Sequence, residues 1–157
     1  MTIPAGSLLF VDSNVLIEAL FVPASPASLV IKIVATGAFK IATCKPVIRD
    51  VENAILKKLS KHPDRLDIVL EEWQNIQSRT KLKIFPAPPA DFVEKTYFDF
   101  ISSMRHEPDI IVLAAAILAK PAAILSGNWE HFNNTVATKC GIPIFSCAEF
   151  MEALATN

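Results

Sequence analysis

The chain has 157 residues, 52% of them hydrophobic, and its 15 Lys and Arg against 16 Asp and Glu give a net charge of -1. This balance excludes an intrinsically disordered chain, which combines low hydrophobicity with a large net charge, and a uniformly basic domain whose field attracts nucleic acid. Any polyanionic partner therefore has to be held locally, by particular side chains.

Length and cysteine content predict a single domain covering all 157 residues, in a reducing cytoplasm. Cys44, Cys140 and Cys147 form no CxxC pair and leave one odd sulfur, whereas a secreted domain of this size usually carries an even disulfide framework. Residues 1–6 lack a signal-like start. The longest apolar run, 110–119, is shorter than the roughly 18 residues of a membrane span, so we expect no membrane partner.

The first predicted element is a strand at 7–11, whose continuous apolar run is typical of a strand buried on both faces of a parallel sheet. Apolar spacing and flanking Pro or Gly residues predict the remaining elements. In chain order these are helices at 14–21 and 27–35, a strand at 39–43, helices at 45–59 and 63–79, a strand at 82–85, helices at 90–104 and 110–119, strands at 122–125 and 142–145, and a helix at 148–154. Strands alternating with helices predict an α/β fold with a parallel sheet covered on both faces.

Polar residues follow several of these runs, at the edge of a parallel sheet where ligands bind. They are Asp12, Asp50 with Glu52, Asp109, and the segment 126–128. Carboxylates that converge in one pocket repel one another, and a cation would hold them together. Oxygen ligands select Mg²⁺ or Mn²⁺, and such an ion would activate water for phosphoryl transfer.

Zinc is not expected from the sequence. His62, His106 and His131 show neither an HExxH motif nor a Cys/His ligand spacing.

Several segments in the right order resemble the PIN-domain family over almost the whole chain. FVDSNVLI at 10–17 resembles the opening strand with its Asp, PVIRDVE at 46–52 the second motif, PDIIVLAAA at 108–116 the third, and ILSGNWEHF at 124–132 the fourth; 141–145 and 149–151 resemble the closing strand and helix. The resemblance implies a three-layer α/β/α sandwich with a central parallel sheet of about five strands. It also implies a metal-dependent endoribonuclease, and many small bacterial members are toxins neutralised by a cognate antitoxin. We expect the RNA to be single-stranded, because a loop can present an isolated phosphodiester.

The resemblance also assigns the site residues. Asp12 and Asp109 match the metal-binding acids of the family directly. At the second motif the family prefers Glu: aligning the apolar neighbours places Asp50 there, whereas chemical identity selects Glu52. These two side chains are about 200° apart on a helix, so only one is expected to reach the ion, and the alignment favours Asp50.

The fourth motif departs from the family, which has Asp where Asn128 stands or, three residues on, where His131 stands. Asn128 offers an amide oxygen without charge, which predicts weaker binding of a second metal, and Glu130 is a source of the missing charge. Asn14, Ser126 and Glu130 are expected to position the substrate or the attacking water.

The same residues also allow interpretations other than that of a PIN-like nuclease site. Asp12 and Asp109 are good helix N-caps, and the acid of the second motif that is not a ligand would favour the helix dipole. A catalytically impaired PIN-like module that binds RNA or protein is the alternative function, because of Asn128. A phosphatase with Asp12 as nucleophile ranks last, since such enzymes have Asp where Asn14 stands. Apolar helical faces in excess of one core favour a homodimer.

Overall fold

A computed structural model describes residues 3–156, which form a five-stranded parallel sheet with helices packed against it. The strands are β1 (Leu8–Val11), β2 (Lys40–Cys44), β3 (Lys83–Phe85), β4 (Ala123–Leu125) and β5 (Ile144–Phe145), in the spatial order β3-β2-β1-β4-β5. The helices are α1 (Ser13–Phe21), α2 (Pro26–Ala35), α3 (Lys45–Leu59), α4 (Pro63–Thr80), α5 (Ala90–Phe100), α6 (Glu107–Ala119), α7 (Asn134–Cys140) and α8 (Cys147–Ala155). The predicted α/β fold with a central parallel sheet of five strands is confirmed.

Strand β1 lies at the centre of the sheet and carries the core on both sides. Leu9, Phe10 and Val11 are fully buried, and successive side chains of a strand point to opposite faces. Both faces of the sheet are therefore covered, which explains why the sequence shows a continuous apolar run here and no alternation. Helices α3 and α6 pack against the neighbouring strand β2, and α5 packs against α6.

The register of the strands brings distant parts of the chain together at one edge. Val11 pairs with Leu125, and Leu125 pairs with Phe145. The pairing continues one residue further, because Asp12 N donates to Leu125 O and Ser126 N donates to Phe145 O, both at 3.0 Å. Asp12 and Ser126, separated by 114 residues in the sequence, therefore lie side by side at the carboxyl ends of β1 and β4.

Two predicted helices have other bounds in the structure. The helix predicted at 90–104 ends at Phe100, where the N–H groups of Ser103 and Met104 both donate to the Phe100 carbonyl and the chain turns. The helix predicted from 110 begins at Glu107, since Pro108 is tolerated in a first turn, where its missing N–H has no partner to lose.

Helix α7 was not predicted from the sequence, and this is an error of the periodicity argument. Its seven residues contain one buried side chain, Val136, so they show no apolar repeat. The helix is instead delimited by its ends: the Asn133 side chain accepts from Val136 N at 3.2 Å, and Gly141 adopts a left-handed conformation with φ +74°.

Trp73 and the three cysteines lie in the core or pack against it. Trp73 on α4 is buried, although its Nε1 donor has no hydrogen-bond partner among residues 3–156. All three cysteines are free thiols. Burial raises the pKa of Cys44 to about 11 and that of Cys147 to about 12, and it also raises the pKa of the half-buried Cys140.

Within residues 3–156, none of the helices is by itself long and apolar enough to cross a membrane. Helices α1 and α2 pass that test only when taken together, by length and composition, and they meet at a bend of 96°.

Candidate active site

Asp12 is a buried carboxylate held by three donors at the end of β1. Its side chain is at the start of α1, where Oδ1 accepts from Ser13 N at 2.7 Å. Oδ2 accepts from Ser126 Oγ at 2.9 Å and from Asn14 Nδ2 at 3.2 Å. Asp12 therefore caps helix α1, in agreement with its interpretation from the sequence as a helix N-cap. The same contacts fix the orientation of its carboxylate at the edge of the sheet.

The pKa of Asp12 is raised above its usual value. Burial is the largest cause, because the residue is only 4% exposed. The three donors act in the opposite direction, and the charge of Asp109 raises the pKa further. The hydrogen bonds thus only partly offset the cost of burying this charge, and a cation beside Asp12 would lower that cost.

The loop after β4 is tied to the loop after β1 through the same hydrogen bonds. Ser126 Oγ, which donates to Asp12, also accepts from Asn128 N at 3.1 Å. Asn14 Oδ1 accepts from Gly127 N at 2.8 Å. A Cβ at Gly127 would lie 3.4 Å from Asn14 Oδ1, so the two loops are in close contact. Asn14 and Ser126 therefore position Asp12.

Asp109 lies in the first turn of α6 and meets two histidines. Its Oδ2 lies 2.5 Å from His131 Nδ1 and 3.2 Å from His106 Nδ1. The N-cap of α6 is His106, without a side-chain capping bond. The interpretation of Asp109 as the helix N-cap is therefore wrong, because the helix begins three residues earlier than predicted.

Asp50 is an exposed residue of α3, like Glu52, and lies within electrostatic reach of Asp109. Its pKa is raised, first by the loss of solvent around its carboxylate and also by the charge of Asp109, while Arg49 lowers it. After burial, the charges of Asp12 and Asp50 also raise the pKa of the thiol of Cys44, which is the last residue of β2 and precedes α3 directly. The charge of Asp109 therefore acts on both Asp12 and Asp50, which links the three acids electrostatically.

The other predicted residues are arranged around this group. Glu52 is exposed and lies about 200° from Asp50 around α3. Asn128 is half-buried and contributes its backbone N–H to the loop network. Glu130 is exposed, and its backbone carbonyl accepts from Asn133 Nδ2 at 3.2 Å.

The donor chemistry of the three acids fits a hard divalent cation. Carboxylate oxygens are the ligands that Mg²⁺ and Mn²⁺ prefer. A carboxylate offers about four acceptor sites, and hydrogen bonds use three of those on Asp12, so that one remains for an ion.

Two solved structures share this architecture over most of the chain. The first is a chain of VapBC2 from Rickettsia felis, in a crystal structure of VapBC2 bound to a DNA fragment from their promoter. Its TM-score is 0.65 at 13% sequence identity, and the match covers 88% of this chain and 98% of that chain. A chain of FitAcB from Neisseria gonorrhoeae has a TM-score of 0.67 at 11% identity, with coverage of 89% and 98%. Both are toxin–antitoxin complexes whose toxins are PIN domains.

The chain has a PIN-like fold. No protein-family model matches its sequence, and no curated protein does. The likeness therefore lies in the three-dimensional arrangement.

In this PIN-like fold, the sequence motifs fall on four different segments: the end of β1, the first turns of α3, the first turn of α6 and the loop after β4. The motif comparison did not predict that His106 and His131 contact Asp109. The available signals were the His-x-x-Asp spacing at 106–109 and the position of His131 where the PIN family can carry an acid.

Two grooves are lined by neighbours of the acids in the PIN-like site, although none of the three acids lines either groove. One, of about 430 Å³, is lined by residues that include Asn14, Gly127 and Ser146. The other, of about 810 Å³, reaches from Arg49 on α3 to Arg105, just before α6. Tyr97 and the largely exposed Phe98 also line this second groove, so it offers both cationic and aromatic groups to a ligand.

Proposed function

We propose that this protein is a metal-dependent endoribonuclease that cleaves single-stranded RNA and is the toxin of a toxin–antitoxin pair. The observation that carries the proposal is the common electrostatic field of Asp12, Asp50 and Asp109, in which the charge of Asp109 raises the pKa of both other acids. Three segments distant in sequence contribute these carboxylates. Such a cluster has little stabilising purpose without a cation.

In the proposed site, Asp12, Asp50 and Asp109 hold Mg²⁺ or Mn²⁺. When bound, such an ion lowers the pKa of a water molecule and neutralises charge on the phosphate oxygens. Ser126 and Asn14 keep the Asp12 carboxylate in one orientation through their donor bonds. Asn128 and Glu130, on the loop after β4, are the proposed residues for positioning water or substrate.

The proposed substrate is RNA whose bases are unpaired, because an isolated strand can present one phosphodiester to a small site. Trp129, in the loop after β4, is 44% exposed and offers a surface on which a base can stack. Arg49 and Arg105 in the larger groove supply cations for the phosphate backbone. These local groups substitute for the basic surface that the net charge of -1 excludes.

A cognate antitoxin is the proposed protein partner. The support is the likeness in fold to chains of VapBC2 and FitAcB, which are toxin–antitoxin complexes. The alternative function is a PIN-like module that binds RNA or protein and has lost efficient catalysis. Asn128 favours this alternative, because it provides an uncharged amide where the PIN family usually carries an acid.

The deciding experiment is cleavage of a single-stranded RNA by the purified chain with Mn²⁺, with Mn²⁺ plus excess EDTA, and by Asp12→Asn with Mn²⁺. We expect cleavage only in the first case. Asp91→Asn is a matched control, because Asp91 also accepts the N–H of the following residue at a helix start, at 2.8 Å, but is exposed. Equal rates in all reactions would refute the proposal.

Further variants distinguish the ligands and the alternative. Asp50→Asn is expected to reduce cleavage by roughly 100-fold or more, the scale of losing one preorganised charge-stabilising group, while Glu52→Gln retains it. The reverse pattern would assign the second motif to Glu52. Asn128→Asp separates the two functions: a sharply higher rate indicates an impaired but intact nuclease, and the absence of cleavage in both forms favours the binding module.

A further inference from the structure

His106, Asp109 and His131 converge through their side chains, from segments that the sequence separates by 22 residues. Both histidine Nδ1 atoms meet the same Asp109 oxygen, at 3.2 and 2.5 Å. The two imidazole rings are stacked, with centroids 5.9 Å apart and an interplanar angle of 19°. Each of the three residues therefore offers one potential metal-ligand atom, and these atoms all lie within 4.8 Å of one another.

This spacing is compatible with one shared ion. Nitrogen and oxygen ligands of a tetrahedral zinc-type ion lie about 2.0–2.2 Å from it, which places them about 3.4 Å from one another. Small side-chain rotations would bring the three ligand atoms to that separation, and the side chain of His106, which is 62% exposed, has room for such a rotation. The side chains of His131 and Asp109 are 23% and 17% exposed, so solvent and an ion can reach them.

We propose that His106, Asp109 and His131 form a binding site for a divalent transition-metal ion of the zinc class, in preference to Mg²⁺. Two imidazole nitrogens and one carboxylate oxygen suit Zn²⁺, Co²⁺ or Ni²⁺, whereas Mg²⁺ prefers oxygen ligands alone. Three protein ligands leave a fourth position open for water or a ligand.

The surrounding charge favours such a cation. The Asp109 carboxylate lies in the same field as Asp12 and Asp50, and Glu107 occupies the first turn of the same helix. The sequence prediction against zinc rests on ligand spacing along the chain, and the fold brings together ligands whose spacing follows no zinc motif. The inference shares Asp109 with the proposed nuclease site but depends on metal binding alone.

The test is titration of the metal-free full-length chain with Zn²⁺ and, separately, with Mg²⁺ by calorimetry, and with Co²⁺ by visible absorption. We expect one Zn²⁺ per chain, bound more tightly than Mg²⁺. His131→Gln and His106→Gln should each weaken Zn²⁺ binding by at least roughly 10- to 100-fold, the loss that even an indirect ligand partner causes. His106→Gln is the safer variant for folding, because that side chain is the more exposed of the two.

The third histidine of the chain supplies the control. His62 is exposed and precedes α4, so His62→Gln should bind Zn²⁺ as the unaltered chain does. Zinc affinity that is unchanged in both His106→Gln and His131→Gln, or equal affinities for Zn²⁺ and Mg²⁺, would overturn the inference. A chain that cleaves RNA with Mn²⁺ but fails this test keeps the proposed function, and one that binds Zn²⁺ but cleaves no RNA keeps only the metal site.

Discussion

The hydroxyl of Ser126 makes two bonds whose loss can be predicted in magnitude. Ser126 is 1% exposed, donates to the charged Asp12 carboxylate at 2.9 Å and accepts from Asn128 N at 3.1 Å. A hydrogen bond to a charged group contributes about 1.5–3 kcal/mol, and a neutral one about 1 kcal/mol. Ser126→Ala should therefore lower the free energy of unfolding by about 3 kcal/mol.

For a chain of this length, 1 kcal/mol corresponds to a shift of about 2–4 °C in Tm, so the expected loss is roughly 6–12 °C. The measurement is thermal unfolding of the metal-free protein in EDTA, followed by circular dichroism. Thr43→Val is the matched control. Thr43 is also fully buried at the end of a central strand, but its hydroxyl donates at 2.8 Å to a neutral acceptor, the Val11 carbonyl. Its loss should cost about 1 kcal/mol, or roughly 2–4 °C.

The dependence on pH gives a second check. The Ser126 bond lowers the pKa of Asp12, so Ser126→Ala raises further a pKa that burial already holds above the usual value. When the pKa of a carboxyl group is higher in the folded protein than in the unfolded chain, the free energy of unfolding falls as pH rises through the folded-state pKa. The stability gap between Ser126→Ala and the unaltered chain should therefore widen toward neutral pH and narrow toward the ordinary value of 3.8. A gap independent of pH, or equal to that of Thr43→Val at neutral pH, would refute the reasoning.

Three further predictions follow from the electrostatics, burial and helix ends. Asp109→Asn should lower the pKa of both Asp12 and Asp50 in the metal-free protein, measurable by NMR titration of the carboxyl carbons; unchanged values would place Asp109 outside their field. A thiol reagent at neutral pH should label the native protein slowly, at the half-buried Cys140 first, and all three thiols after denaturation; rapid labelling of three thiols in the native state would contradict the observed burial. Ser146→Ala removes the side-chain acceptor of the α8 capping box and should cost about 1 kcal/mol in urea unfolding, and a change near zero would show that the box contributes nothing.

Much of the fold could be predicted because its elements are encoded locally. The apolar run before Asp12 marks a strand buried on two sides, and Pro46 near the start of an apolar stripe marks α3, whose bounds are as predicted. The extent of α5 was overestimated because apolar residues continue to Met104, which is buried after the chain has turned. Helix α7 has too few buried positions to show any period.

The candidate site could be predicted only in part, for a physical reason. Strand ends and helix starts give the approximate position of Asp12 and Asp109, because carboxyl ends of parallel strands share one edge. Choosing between Asp50 and Glu52 requires the direction of each side chain from α3 toward Asp109. The meeting of His131 with Asp109 depends on how the loop after β4 packs against α6, which sequence spacing does not contain.

The bond between Ser126 and Asp12 spans 114 residues, and it has a consequence for when the protein can act. During synthesis the first four-fifths of the chain emerges without β4, so the central strand lacks one of its two neighbours and Asp12 lacks its charge-assisted donor. The acids can settle into their final arrangement only after the loop beyond β4 has left the ribosome. If the proposed nuclease function holds, residues 1–122 alone would lack the complete site, because β4 and the Ser126 donor are still missing.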